Sequence, residues 1–269
     1  MFDIVRHIVN QFPFMFSTTV FDIGCGKKPM SKNYVDSSGV FENLFVNNAG
    51  KLYLIDINES ILDEAFAHIS SNKNRKHYLD VVRYALDFEN KEAVSNFVDF
   101  MSPSKHQICY NNYFGPTVIC TEMAEHISEK RSLGLVRAIA GLRPTAVIFS
   151  AAYPFQGGEG HVNCKLPSYW ADLFDRHGFT ILDPRPSCWH VLNTQTDVPI
   201  WRVQNTLLLV NKLFYSQFKS VFDHMNSKKP FPFNHVVPSL FSSLDVVHPK
   251  FIEAGVANGW FNNDSSAVR

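Results

Sequence analysis

The sequence has no excess charge of either sign: Lys and Arg total 25, and Asp and Glu also total 25. So balanced a chain is not built for bulk electrostatic capture of nucleic acid, although a local basic patch stays open. There is no CxxC pair. Cys25, Cys109, Cys120, Cys164 and Cys188 are scattered and odd in number. That pattern argues against a disulfide framework and for free thiols in a reducing compartment. No apolar run approaches the roughly 20 residues of a membrane span. The apolar N-terminal stretch is interrupted by Asp3, Arg6 and His7, which makes it a poor secretion signal. Internal repeats and low-complexity tracts are lacking as well. The expectation is a cytoplasmic globular protein with no membrane partner.

Aromatic residues are plentiful, with 24 Phe in 269 residues, so the core should be aromatic-rich. The chain is organised around residues 19–29, TVFDIGCGKKP. Val20, Phe21 and Ile23 read as a short buried strand. Gly24 and Gly26 then allow a tight turn and a close backbone approach. Pro29 suits the first turn of a helix. Before this stretch, Phe2, Val5, Ile8, Val9 and Phe12 recur at helical spacing up to Pro13. After it, strands are expected at 51–57, 84–87, 117–121, 145–151, 179–182 and 204–210. A helix capped by Asn58 is expected, with Ile61, Leu62, Ala65, Phe66 and Ile69 on its inner face, and further helices at 91–101, 128–142 and 167–177. Residues 156–160 read as a flexible loop, and 183–203 as a long crossing loop. Residues 30–50 read as an excursion that caps the ligand side. Strands alternating with helices indicate an α/β fold with a mostly parallel sheet covered on both faces. We expect one domain over residues 1–212. Residues 213–269 then form a helix and an irregular extension packed on it, with a frayed end at 262–269.

Several motifs together resemble the class I S-adenosylmethionine-dependent methyltransferases. They are VFDIGCG at 20–26, LIDIN at 54–58, LDFEN at 86–90, VICTEMAEHI at 118–127 and GGEGHVN at 157–163. The resemblance covers roughly residues 15–212. It implies a doubly wound, seven-stranded Rossmann-like sheet with a reversed seventh strand, and S-adenosyl-L-methionine as cofactor. A carboxylate ending the second strand can take both ribose hydroxyls, as in other nucleotide folds. Asp56 is placed for that, and Ile57 to lie on the adenine. Asp87, followed by Phe88, is placed for the adenine amino group. Gly24 and Gly26 would approach the methionine moiety, and Asp22 its ammonium. Glu122, at the top of the fourth strand, would face the same crevice. The family pattern usually carries a third glycine where Lys28 stands. Asp56 and Asp87 also have a purely local reading, as strand-end turn residues.

A second constellation follows the fourth strand. Glu122, Glu125 and His126 share one face if the chain is helical there, and His161 arrives from the loop after the fifth strand. Two carboxylates and two imidazoles can hold a divalent metal, magnesium or manganese, with positions left for substrate oxygens. The E-x-x-E-H run with a later His resembles two metal-using branches of the family. These are the small-RNA 3′-terminal 2′-O-methyltransferases and the O-methyltransferases of ubiquinone biosynthesis. The other reading is that Glu125 and His126 merely begin a helix. Without metal, His161 has the pKa range of a general base, and Glu122 is its catalytic neighbour. Tyr153, Trp170, Trp189 and Trp201 are candidates for the acceptor pocket.

Methyl transfer mainly needs alignment, and a hydroxyl acceptor also needs its proton removed. His161 and the acidic pair point to an oxygen acceptor. Three functions stay open. One is O-methylation of a small-molecule or sugar hydroxyl. Another is RNA ribose or cap methylation, using a basic strip of Lys27, Lys28, Lys73, Arg75 and Lys76. The third is a non-catalytic cofactor- or partner-binding domain.

Overall fold

The computed structural model describes residues 4–32, 50–71, 78–101, 114–194, 199–230 and 232–260. Most of the expected cap at 30–50, Lys73, Arg75, Lys76, Cys109 and the end at 262–269 lie outside them. Eight strands form one sheet in the order β3-β2-β1-β4-β5-β7-β6-β8. They are β1 Thr19–Ile23, β2 Gly50–Asp56, β3 Tyr78–Ala85, β4 Thr117–Thr121, β5 Ala146–Ser150, β6 Phe179–Asp183, β7 Leu207–Asn211 and β8 Asn234–Val236. β1 pairs in parallel with both β2 and β4. β7 is antiparallel to β5 and β6, and β8 is antiparallel to β6. The doubly wound sheet with its reversed seventh strand is therefore present, and the expected count of seven strands is corrected to eight.

Period-two alternation distributes the strands' apolar residues over two cores. Val20, Leu52, Leu54, Ile119 and Ile148 face α1 (Ile4–Gln11) and α2 (Glu59–Ser70). Phe21, Ile55, Val118, Val147 and Phe149 face α3 (Lys91–Met101), α4 (Glu129–Gly141) and α5 (Pro167–Arg176). With both faces covered, β4 and β5 read as near-continuous apolar runs. Asn58 caps α2 as expected, its side chain accepting from the N–H groups of Ser60 and Ile61.

The interval expected to be a crossing loop instead carries two helices, α6 (Arg185–Thr194) and α7 (Ile200–Asn205). Gln204 and Asn205 end α7 rather than opening β7. Beyond α8 (Lys212–Ser227), the segment expected to be irregular supplies β8, a 3-10 helix at Pro238–Asp245, and α9 (Pro249–Ala257). No helix of the described residues is long and apolar enough to cross a membrane.

One buried pair ties this C-terminal segment down. Arg185 is fully buried, with Nε donating to Asp183 Oδ1 at 2.7 Å and Nη2 to Oδ2 at 2.9 Å. Its Nη1 donates to the Leu244 carbonyl. Gln204 reinforces the junction: its Nε2 donates to the Val246 carbonyl and its Oε1 accepts the His248 N–H, both at 2.9 Å. Removing one partner of a buried pair strands the other charge. Arg185→Met should therefore cost about 3–5 kcal/mol in urea unfolding. The Asp183→Asn/Arg185→Met double variant should recover part of that loss.

Candidate active site

The strand order reverses between β1 and β4, and in open parallel sheets the crevice at that point takes ligands. The turn after β1 is tied to the end of β2. The N–H groups of Gly24 and Cys25 both donate to the Ile55 carbonyl, at 2.8 and 3.1 Å. Gly24 has φ +68°, and a Cβ there would fall 2.3 Å from Met123 Cγ. Gly26 has φ +58°, with open space where its Cβ would be. Its N–H donates to Asp56 Oδ2 at 3.1 Å, while Asn58 N–H donates to Asp56 Oδ1 at 3.2 Å. Each carboxylate oxygen can still accept another bond.

A cleft of about 400 Å³ opens here. The turn after β1 supplies Gly24 and Gly26, the end of β2 supplies Asp56 with Ile57 just beyond it, and the segment after β3 supplies Leu86, Asp87, Phe88 and Glu89. The segment after β4 closes it with Glu122, Met123, His126 and Ile127. The third wall is braced in two places. Glu89 N–H donates to Asp87 Oδ1 at 2.8 Å, and the Glu89 carboxylate accepts from Ser128 Oγ at 2.8 Å. Ile57 remains 64% exposed, an apolar face turned to solvent at the rim. Seven of the eight residues singled out for cofactor binding thus line one hollow. Asp22 does not. It lies buried beneath the turn, accepting the Ser31 N–H at 2.8 Å. Burial pushes its carboxyl up to about 6, against the lowering effect of the Ser31 hydrogen bonds.

The second constellation divides. After β4 the chain makes a 3-10 turn at Ala124–His126 before α4 begins, so the three motif residues do not share one α-helical face. Glu122 sits at φ +52°, a left-handed conformation costly for a non-glycine residue. Its carboxylate is held by three donors: Ser150 Oγ at 2.8 Å, Asn205 Nδ2 at 3.2 Å and Gln156 Nε2 at 3.4 Å. The ligand atoms of Glu125, His126 and His161 all lie within 4.8 Å of one another. Of the four residues expected to hold a metal, the structure brings these three together, while Glu122 is engaged by other donors. Glu125 is fully buried, and neither carboxylate oxygen has a hydrogen-bond partner. Burial, then the charge of Glu122, holds its carboxyl well above the usual range. His126 Nδ1 donates to the Gly160 carbonyl at 3.2 Å, and His161 Nδ1 to the Gln156 carbonyl at 3.3 Å. A carbonyl only accepts, so each Nδ1 carries a proton and, in the neutral ring, each Nε2 keeps the lone pair; Cys164 Sγ also lies 3.8 Å from His161 Nδ1. His161 Nε2 stands 4.0 Å from Glu125 Oε1.

None of the four aromatics suggested for the acceptor pocket lines the cleft. Trp170 is core, packed on Phe149. Trp189 packs against Arg185 and His248, and Trp201 against Trp260. The Tyr153 hydroxyl donates to the Asp245 carbonyl. Sequence reading missed Ser150, Gln156 and Asn205, the residues that hold Glu122. They are short polar residues within segments read as strand or loop and carry no periodic signal.

No protein-family model matches the chain, and no curated protein sequence matches it. Solved structures do. The small RNA methyltransferase HEN1 is 12% identical, over 77% of this chain and 25% of that one, with a TM-score of 0.43. Human N-acetylserotonin methyltransferase in complex with SAM is 11% identical, over 77% and 51%, with a TM-score of 0.42. A TehB-like SAM-dependent methyltransferase from Corynebacterium glutamicum is 9% identical, over 78% and 89%, with a TM-score of 0.41. The chain spans a quarter of the length of the first and about half of the second.

Asp22 yields a stability test independent of ligand. Its folded pKa lies above the ordinary 3.8, so the native state holds the proton more tightly than the unfolded chain. The contribution of Asp22 to native stability is then greatest below pH 4, declines as pH rises from about 4 to about 6, and is flat beyond. The slope limit is about 1.4 kcal/mol per pH unit. Asp22→Asn should reduce the stability difference between pH 4.5 and pH 7 in urea unfolding, leaving the share that Glu125 contributes.

Proposed function

We propose that the chain is an S-adenosylmethionine-dependent methyltransferase acting on a hydroxyl of a small molecule or sugar. The observation that carries this reading is the convergence of a left-handed glycine turn, Asp56 and Asp87 on one cleft at the sheet's reversal point. Asp56 has spare lone pairs for the two ribose hydroxyls, while Gly26 and Asn58 fix its orientation. Ile57, Leu86 and Phe88 offer apolar faces to a purine, and the exposed Ile57 side chain would be covered by one. Asp87 stands beside them to accept an exocyclic amino group. Gly24 leaves room for Met123, which a side chain on the turn would displace from the cleft wall. Bound S-adenosylmethionine supplies an electrophilic methyl group on a sulfonium. The chain's task is then to align an acceptor oxygen and remove its proton.

Proton removal falls to His161. The Gln156 carbonyl keeps the proton on Nδ1, leaving Nε2 as the base. Glu122, held in place by three donors, can orient the acceptor hydroxyl. The three-residue cluster also fits a divalent cation such as magnesium or manganese. A buried carboxylate without donors is costly unless a proton or a cation neutralises it. Both histidines show the Nδ1-to-carbonyl bond that usually orients metal-bound imidazole. When bound, such a cation lowers the pKa of a coordinated hydroxyl, and His161 Nε2 is then a ligand in place of a base. The same cluster favours a second reading, an RNA ribose 2′-hydroxyl as acceptor. Of the basic strip that would serve it, Lys27 pairs with Glu64 at 3.0 Å.

Calorimetry with S-adenosylhomocysteine tests the first part. The intact protein should bind it, and Asp56→Ala should weaken binding by at least about tenfold, or about 1.4 kcal/mol. No uptake by the folded wild type would overturn the proposal. Manganese titration tests the second: one equivalent should bind, and His126→Ala should abolish that binding in a protein that still folds.

A further inference from the structure

The C-terminal segment reaches the loop that carries His161. Gly157 lies so close to Trp260 that a Cβ on it would meet Trp260 Cδ1 at 2.6 Å. Trp260 also packs on Phe251 at 5.4 Å and on Trp201 of α7 at 6.4 Å, and Phe251 packs on Tyr153 at 5.8 Å. Two rings of the tail therefore stand between α7 and the loop after β5. A hydrogen bond from the Tyr153 hydroxyl to the Asp245 carbonyl pins one end of that loop to the tail. Asp245 is itself fixed, its carboxylate accepting from Ser168 N–H at 3.0 Å and Ser168 Oγ at 2.7 Å.

The other side of the loop is pinned from within. Asn205 Nδ2 donates to Gln156 Oε1 at 2.9 Å as well as to Glu122. Gln156 is thus fixed through its side chain, Tyr153 by Asp245, and Gly157 by the Trp260 ring. The carbonyl of Gln156, adjoining Gly157, is the group that orients His161. Gly158 packs against the imidazole so closely that a Cβ would come within 2.2 Å of Nε2. The path from tail to imidazole is therefore short: Trp260, Gly157, the Gln156 carbonyl, His161 Nδ1.

We infer that Trp260 is a positioning residue for His161, so the C-terminal segment completes the acceptor side of the site. This rests on the reading of His161 as an acceptor-side group, but the placement itself can be tested without an acceptor. Among the described residues none of the tail lines the cleft that would hold the cofactor, so the two claims fail separately.

The test is histidine-ring nitrogen NMR on the full chain. In the wild type at pH 8, His161 should show the signature of a single Nδ1–H tautomer. His177 should do the same, because its Nδ1 donates to the Leu173 carbonyl at 2.7 Å, and it serves as an internal control. Trp260→Ala should turn the His161 signals into a mixture of tautomers while leaving His177 and the affinity for S-adenosylhomocysteine unchanged. Gly157→Ala, which intrudes on the ring from the loop side, should produce the same change. In the Trp260→Ala background, adding Gly157→Ala should have no further effect, because the obstructing ring is gone. Should Trp260→Ala fail to fold, Gly157→Ala alone decides. An unmoved His161 tautomer in whichever single variants fold, or strictly additive changes in the double variant, overturns the inference.

Discussion

Two backbone N–H groups, of Gly26 and Asn58, converge on the carboxylate of Asp56. Through them the turn after β1, the end of β2 and the start of α2 become one rigid corner. The parallel pairing of β1 with β2 brings these groups within reach, since Ile23 is in register with Ile55. The pairing of β1 with β4 then delivers Glu122 and Met123 across from them. A ligand entering this corner meets donors, acceptors and apolar faces already in place. Such preorganisation reduces what binding must spend on ordering.

Around the corner, charge is handled in three ways. Asp22 is buried under the turn with Ser31 for a partner, and burial favours its neutral form. Glu122 keeps three donors and a strained backbone, a combination that persists only where surrounding contacts enforce it. The Glu125 carboxylate has no hydrogen-bond partner of normal geometry at either oxygen. Its neighbours on the open side are two imidazoles with their basic nitrogens free. That contrast between a satisfied carboxylate and an orphaned one, three residues apart, separates the group proposed to orient the acceptor from the candidate cation site.

Much of the α/β frame was legible because buried parallel strands leave long apolar runs and glycine marks the turn that follows. The corner residues were legible for the same reason: they terminate strands. β3 was placed too late because its edge position puts charges in the strand. Asp80 pairs with Lys51, and Arg83 with Asp63. Edge strands often carry charges of this kind, and these masked the alternation. α6 and α7 were hidden by prolines that in fact stand at helix starts, and the three-residue β8 is too short for any pattern. The tail's role was illegible because it is made in tertiary space. Trp260 and Gly157 are about a hundred residues apart, and only the fold brings them together. Asn205 escaped notice for the same reason.

The most direct test of the central claim is a crystal structure grown with saturating S-adenosylhomocysteine. The account predicts density in the cleft after β1, with the ribose hydroxyls on Asp56 and the purine between Ile57 and Phe88. Density bound elsewhere, or a cleft left empty at saturation with Asp56 turned away from it, would contradict the account.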